Sequence, residues 1–228
     1  MNLPLFPTRT RIKMCGFTRE ADVDAAVQAG ADAIGFVLYP PSPRAVDIAR
    51  AAALATRLPA FVTPVLLFVN EAPERVQSAC AAVPGAMLQF HGDEPPAYCD
   101  EMTRLTGRPH LKAARIPLQE AARFDLVKFS QLHHSAQAIL LDAHVEGFGG
   151  GGKAFNWSLL PPSVNAHLVL SGGLTPANVA DGIHTLRSRA RSLAVDVSSG
   201  IEAGKGLKDA DKIRQFVDAV RTADNNRH

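Results

Sequence analysis

Short apolar runs alternate with segments of helical period along the whole chain. Runs at 10–15, 33–37, 62–68, 87–91, 110–113, 138–142, 167–171 and 193–197 predict eight strands. The segments between them carry apolar residues at helical spacing. Val23, Ala26 and Val27 share one face behind Thr18, a suitable N-cap, and Gly30 is placed for the C-terminal cap. Pro73 suits a first helical turn, and Val76, Ala79, Cys80 and Val83 follow at i, i+3, i+4 and i+7. Ile213, Phe216, Val217 and Val220 repeat that spacing near the end. After the sixth strand only 156–160 reads as helical. The strands recur about every 28 residues, one βα unit each. The pattern predicts an α/β protein, a single-domain (β/α)8 TIM barrel over 1–228, with an extension at 1–9 and a solvated tail at 222–228. An open doubly wound sheet shares the alternation, and eight units favour the barrel.

Composition narrows the classes. The 228 residues give room for one well-buried core. Net charge is only +2, from 24 basic and 22 acidic residues, so no basic field invites nucleic acid. No apolar run approaches the roughly 18 residues that span a bilayer. The first ten residues show no secretion-signal pattern. Cys15, Cys80 and Cys99 are widely spaced and odd in number, neither a disulfide framework nor a CxxC site. A reducing, cytoplasmic setting is the simplest expectation. The histidines, including an exposed-looking His133–His134 pair, show no metal-ligand spacing, and no metal is expected.

The candidate chemistry sits at strand ends, where barrel enzymes place it. Alternation along RIKMCG turns Lys13 and Cys15 inward. A free cysteine is usually a small buried hydrophobe, which suits Cys80 and Cys99 on helices. Cys15 differs by position, and a neighbouring Lys13 ammonium could lower its pKa. Asp142 ends an apolar strand on the inward parity. Such a carboxylate needs either a catalytic task or a cation, with Lys13 and Lys112 as candidates. Gln89 and His91 share the inward parity and suit either substrate contact or structure. YPPSPR at 39–44 is stiffened by three prolines, and Arg44 closes it, a guanidinium suited to gripping a carboxylate. Gly172 and Gly173 after strand seven, and Asp196, Ser198, Ser199 and Gly200 at strand eight, form two turns of the kind that cradle phosphate. GFGGGGKA at 147–154 matches a nucleotide P-loop until Ala154 replaces the hydroxyl that would hold magnesium, so a lid over the barrel mouth fits better.

These motifs together resemble the phosphoribosylanthranilate isomerase family of tryptophan biosynthesis. The resemblance runs from Arg11 to about Val220. It rests on KMCGFT at 13–18, GADAIGFVLYPPSPR at 30–44, FVNE at 68–71, QFHGDEP at 89–95, LLDA at 140–143, FGGGGKAFNW at 148–157, LSGGLTPANV at 170–179 and DVSSGIE at 196–202, in that order. It implies a (β/α)8 barrel and an Amadori rearrangement of N-(5-phosphoribosyl)anthranilate, with no cofactor. It implies Cys15 as general base, Asp142 as general acid and Arg44 on the anthranilate carboxylate. The expected partner is a small phosphorylated substrate, and the chain a monomer or homodimer. Phe90, Gly151 and Asn156 depart from the family pattern. The alternatives are the histidine-pathway Amadori isomerase, which resembles a two-aspartate design, and a catalytically silent phosphometabolite-binding barrel.

Overall fold

A computed structural model describes residues 9–117, 124–144 and 156–226. Eight parallel strands close on themselves in chain order: β1 (Arg11–Cys15), β2 (Ala33–Val37), β3 (Thr63–Phe68), β4 (Met87–Phe90), β5 (His110–Pro117), β6 (Ala138–His144), β7 (His167–Leu170) and β8 (Ser192–Val197). Pairing of β8 with β1 completes the barrel and sets Lys13 beside Asp196. The helices are α1 (Glu20–Ala29), α2 (Ile48–Ala55), α3 (Pro73–Ala82), α4 (Pro96–Thr106), α5 (Leu126–Leu132), α6 (Val179–Leu186) and α7 (Ala210–Asn225). Beyond β8 a short hairpin of β9 (Glu202–Gly204) and β10 (Leu207–Lys208) precedes α7.

Strand alternation sorts the side chains into two cores. Ile12, Met14, Ile34, Phe36, Leu66, Phe68, Leu88, Phe90, Ile139, Leu141, Leu168, Leu170, Val195 and Val197 point outward and pack with the helices. Leu111, Ala113, Ala138, Leu140 and Val169 fill the barrel. Phe90 is fully buried and meets the Tyr98 ring edge-on at 5.5 Å, locking α4 onto β4. Lys112 lies on the outward parity, so it faces α4 and not the barrel axis.

Several expectations change. Thr18 does not cap α1: Arg19 holds the N-cap position without a side-chain bond, and the Thr18 hydroxyl donates to Gly206 O. Gly30 does cap it, at φ 98°. The segment expected to be helical at 156–160 is one 3-10 turn, Trp157–Leu159. Asn156 caps that turn with Oδ1 accepting from Ser158 N, a task the usual aspartate would share. The expected solvated tail from 222 is helical through Asn225. Ala223 is buried there, and Asp224 accepts from Thr10 and pairs with Arg187. His133 is buried against the Phe129 ring and not exposed; its neighbour His134 is. The glycine run at 147–152, most of the 1–9 extension and Gly151 lie outside the described residues.

Candidate active site

The barrel's C-terminal mouth gathers the inward-facing residues of β1, β4, β6 and β8 with the loops that follow them. Cys15 ends β1 in a small apolar cluster with Val37, Leu67 and Val69. Its sulfur occupies space left by Gly35, its register partner on β2. A Cβ at Gly35 would lie 2.7 Å from Cys15 Sγ. Below it the Lys13 ammonium meets Asp196 Oδ1 at 2.7 Å, both side chains nearly sealed from solvent. Burial works most strongly against the Lys13 charge, yet Asp196 and Cys15 together outweigh it and raise the lysine pKa. Burial also dominates at Cys15 and pushes the thiol pKa up. Lys13 and Lys208 pull it down, and Asp196 opposes them. The net direction is opposite to the lowering expected from Lys13 alone.

Asp142 pairs with neither candidate lysine. Lys13 is taken by Asp196, and Lys112 by Glu94 at 2.7 Å. Instead Asp142 Oδ2 lies 2.9 Å from His91 Nε2, and His91 Nδ1 lies 2.9 Å from the Gln89 amide. Gln89 Oε1 is buried with no hydrogen-bond partner among the described residues. Rotating that amide by half a turn makes Oε1 the acceptor of an Nδ1–H. His91 Nε2 can then accept a proton from a protonated Asp142 carboxyl. The three residues are one hydrogen-bonded chain able to hold a proton at Asp142 or pass it back. The loop beneath His91 is pinned by Glu94, which accepts from Asn70 N and Gly92 N as well as from Lys112. Gly172, at φ 77°, leaves room for the carboxylate: a Cβ there would lie 2.9 Å from Asp142 Oδ1.

Arg44 is buried, its stem over Gly16 and its head on Glu202, with Nε to Oε1 at 2.7 Å and Nη2 to Oε2 at 2.8 Å. The two predicted turns adjoin: Gly200 packs so tightly on Leu174 O that no side chain fits there. Gly173 has φ 67°, and Ser199 and Gly200 belong to a 3-10 turn, Ser199–Ile201. The Ser198 hydroxyl is turned inward and donates to Cys15 O. Asp196 is engaged within the barrel by Lys13 and by the Ser171 hydroxyl. Among the described residues no group of three or more His, Cys, Asp or Glu could hold a metal ion, and no helix is long and apolar enough to cross a membrane.

Sequence reasoning missed Glu202, Lys208 and Gly35. Glu202 closes a motif that was noticed for its serines. Lys208 sits on a two-residue strand with no periodic signal.

Parallel barrels carry their chemistry at this mouth. One furnished with a thiol at the end of β1 and, on β6, a carboxyl bonded to the imidazole that follows β4 carries the groups of an acid–base enzyme of that fold. The family model for N-(5'-phosphoribosyl)anthranilate isomerase matches residues 12–219, and the chain belongs to that family. It is 62% identical over 216 residues to the N-(5'-phosphoribosyl)anthranilate isomerase of Methylibium petroleiphilum, covering 95% of this chain and 96% of that one. The crystal structure of the phosphoribosyl anthranilate isomerase of Thermotoga maritima is 36% identical with TM-score 0.81, covering 93% and 99% of the two chains. A phosphoribosyl anthranilate isomerase solved with reduced 1-(o-carboxyphenylamino)-1-deoxyribulose 5-phosphate is 33% identical with TM-score 0.75, again covering 93% and 99%.

Proposed function

We propose that this chain isomerises N-(5-phosphoribosyl)anthranilate to 1-(2-carboxyphenylamino)-1-deoxyribulose 5-phosphate, with Asp142 as acid and Cys15 as base. The observation that carries the residue assignment is the Gln89–His91–Asp142 chain at the same barrel mouth as the buried Cys15 that ends β1, on a barrel whose relative was solved with reduced 1-(o-carboxyphenylamino)-1-deoxyribulose 5-phosphate. Protonated Asp142 gives its proton to the furanose ring oxygen. The C1′–O bond breaks, and the nitrogen lone pair forms the C1′=N bond of a Schiff base. Cys15 as thiolate then removes the C2′ proton. The C–H electrons form C1′=C2′, nitrogen recovers its lone pair, and the resulting enolamine tautomerises to the C2′ ketone. Ring opening and enolamine formation are each coupled to a proton transfer, and positioned proton transfers contribute about 10²–10⁴-fold each.

Arg44 takes the anthranilate carboxylate through donors outside its Glu202 pair. Backbone N–H groups of Gly172, Gly173, Ser199 and Gly200, on two adjoining loops, receive the phosphate. Gln89 and His91 act through Asp142, and Asp196 keeps Lys13 charged beside Cys15.

The test is loss of anthranilate-type fluorescence when the protein is added to phosphoribosylanthranilate. The expected result is rapid loss with wild type and a raised KM in Arg44→Ala. No loss with folded wild-type protein overturns the proposal, and an unchanged KM in Arg44→Ala overturns the carboxylate contact.

A further inference from the structure

Arg44 is not held by its own loop alone. The same Glu202 oxygen that accepts from Arg44 Nε also accepts from Lys208 Nζ at 2.8 Å. Lys208 donates further to Ser198 O at 3.0 Å, and its ammonium lies 5.4 Å from the centre of the Phe17 ring. Arg44, Glu202 and Lys208 are 8%, 8% and 4% exposed. Two cations therefore share one carboxylate out of water, and the cluster carries an excess of one positive charge.

The groups facing this cluster do not cancel that excess. Cys15 is neutral while it holds its proton, and Ser198 is a hydroxyl. Lys13 and Asp196 neutralise each other. Asp22 accepts from the Lys208 backbone N–H and is paired with Arg19. Burial lowers the Lys208 pKa in spite of Glu202, which registers the cost of that charge. A buried charge without a counterion is expensive, and an incoming anion relieves it. Lys208 points its donors at Glu202 and Ser198, whereas Arg44 Nη1 has no partner among the described residues.

We infer that the β9–β10 hairpin is the specificity element of this site. Glu202 fixes the Arg44 fork, and Lys208 supplies the surplus positive charge that makes a carboxylate, and not a neutral group of similar shape, the favoured occupant. Both are positioning residues, acting through Arg44 and the charge around it. The inference rests on the proposed Arg44 contact. It also separates orientation from plain charge. Glu202→Gln adds net positive charge, so simple attraction would strengthen carboxylate binding. Loss of the fork's anchor weakens it.

The experiment compares kcat/KM for phosphoribosylanthranilate with that for the analogue bearing a 2-carboxamide in place of the carboxylate. A general structural defect lowers both rates together and leaves their ratio unchanged. Lys208→Met and Glu202→Gln should each reduce the preference for the carboxylate about tenfold or more, and Lys208→Arg should restore it. Arg44→Gln separates the two readings. If it keeps the wild-type preference, the Arg44 contact itself is wrong. If it loses the preference while Lys208→Met and Glu202→Gln keep theirs, the hairpin inference is overturned. Should Glu202→Gln fail to fold, Lys208→Met decides, because it leaves the Arg44–Glu202 pair intact.

Discussion

Gly35→Ala offers a sharp probe of how the Cys15 thiol is seated. Gly35 lies directly across from Cys15 in the β1–β2 register. An added Cβ would stand 2.7 Å from Sγ, 3.1 Å from Cys15 Cα and 3.2 Å from its Cβ. Ordinary carbon contacts lie at roughly 3.5–4.0 Å, so the sulfur must retreat by about 1 Å. Rotating it away does not suffice, because the backbone atom is also too close. The two strands must part or shear, and both are fixed by neighbours within a closed barrel. Overpacking of this kind costs about 1–3 kcal/mol of stability. Misplacing a reacting group by ~1 Å costs about 10²-fold in kcat. The phosphate turns follow β7 and β8 and stay in place, whereas Arg44 follows β2 and moves with it, so kcat should fall further than KM rises. The assays are urea denaturation and the fluorescence turnover assay. Gln131→Ala is the control, an exposed position on α5, and it should stay within about twofold of wild type. Wild-type kcat in Gly35→Ala would refute this account of the seat.

Two further predictions concern pH. Burial raises the Cys15 pKa, so the Cys15 thiolate should still be forming above pH 9.0, the ordinary thiol value, read as the ultraviolet thiolate absorbance that Cys15→Ser removes. A thiolate signal already complete below about pH 8 would contradict that upward shift. His133 has its pKa lowered by burial to about 4. The unfolded chain therefore binds the extra proton between pH 6.5 and 4, and stability falls as pH drops through that window. After allowance for solvent screening the loss is on the order of 1–2 kcal/mol. His133→Leu should flatten that part of the urea-midpoint profile, and an unchanged slope would show that His133 is not its source.

The strands were legible because their period and length were unambiguous, and inward parity was correct for Lys13, Cys15, Gln89, His91 and Asp142. What failed needed neighbours that sequence spacing does not name. Asp142 was paired in expectation with lysines, but Lys112 has the opposite parity on β5, and Lys13 meets its register partner on β8. Thr18 had the chemistry of an N-cap, but a tertiary acceptor at Gly206 captured its hydroxyl. The direction of the Cys15 pKa depended on burial, which outweighs a single adjacent ammonium and has no local signature. Glu202 and Lys208 matter only because the hairpin folds back over the loop after β2, a contact spanning 158 residues.

The central claim is that one thiol and one carboxyl carry the proton transfers. It is tested most directly by measuring kcat for Cys15→Ser and Asp142→Asn on phosphoribosylanthranilate, with folding of each variant checked by its urea transition. The account predicts that each substitution lowers kcat by about 10²–10⁴-fold, with the protein still folded and KM little changed. A near-wild-type kcat in either folded variant would remove that residue from the mechanism.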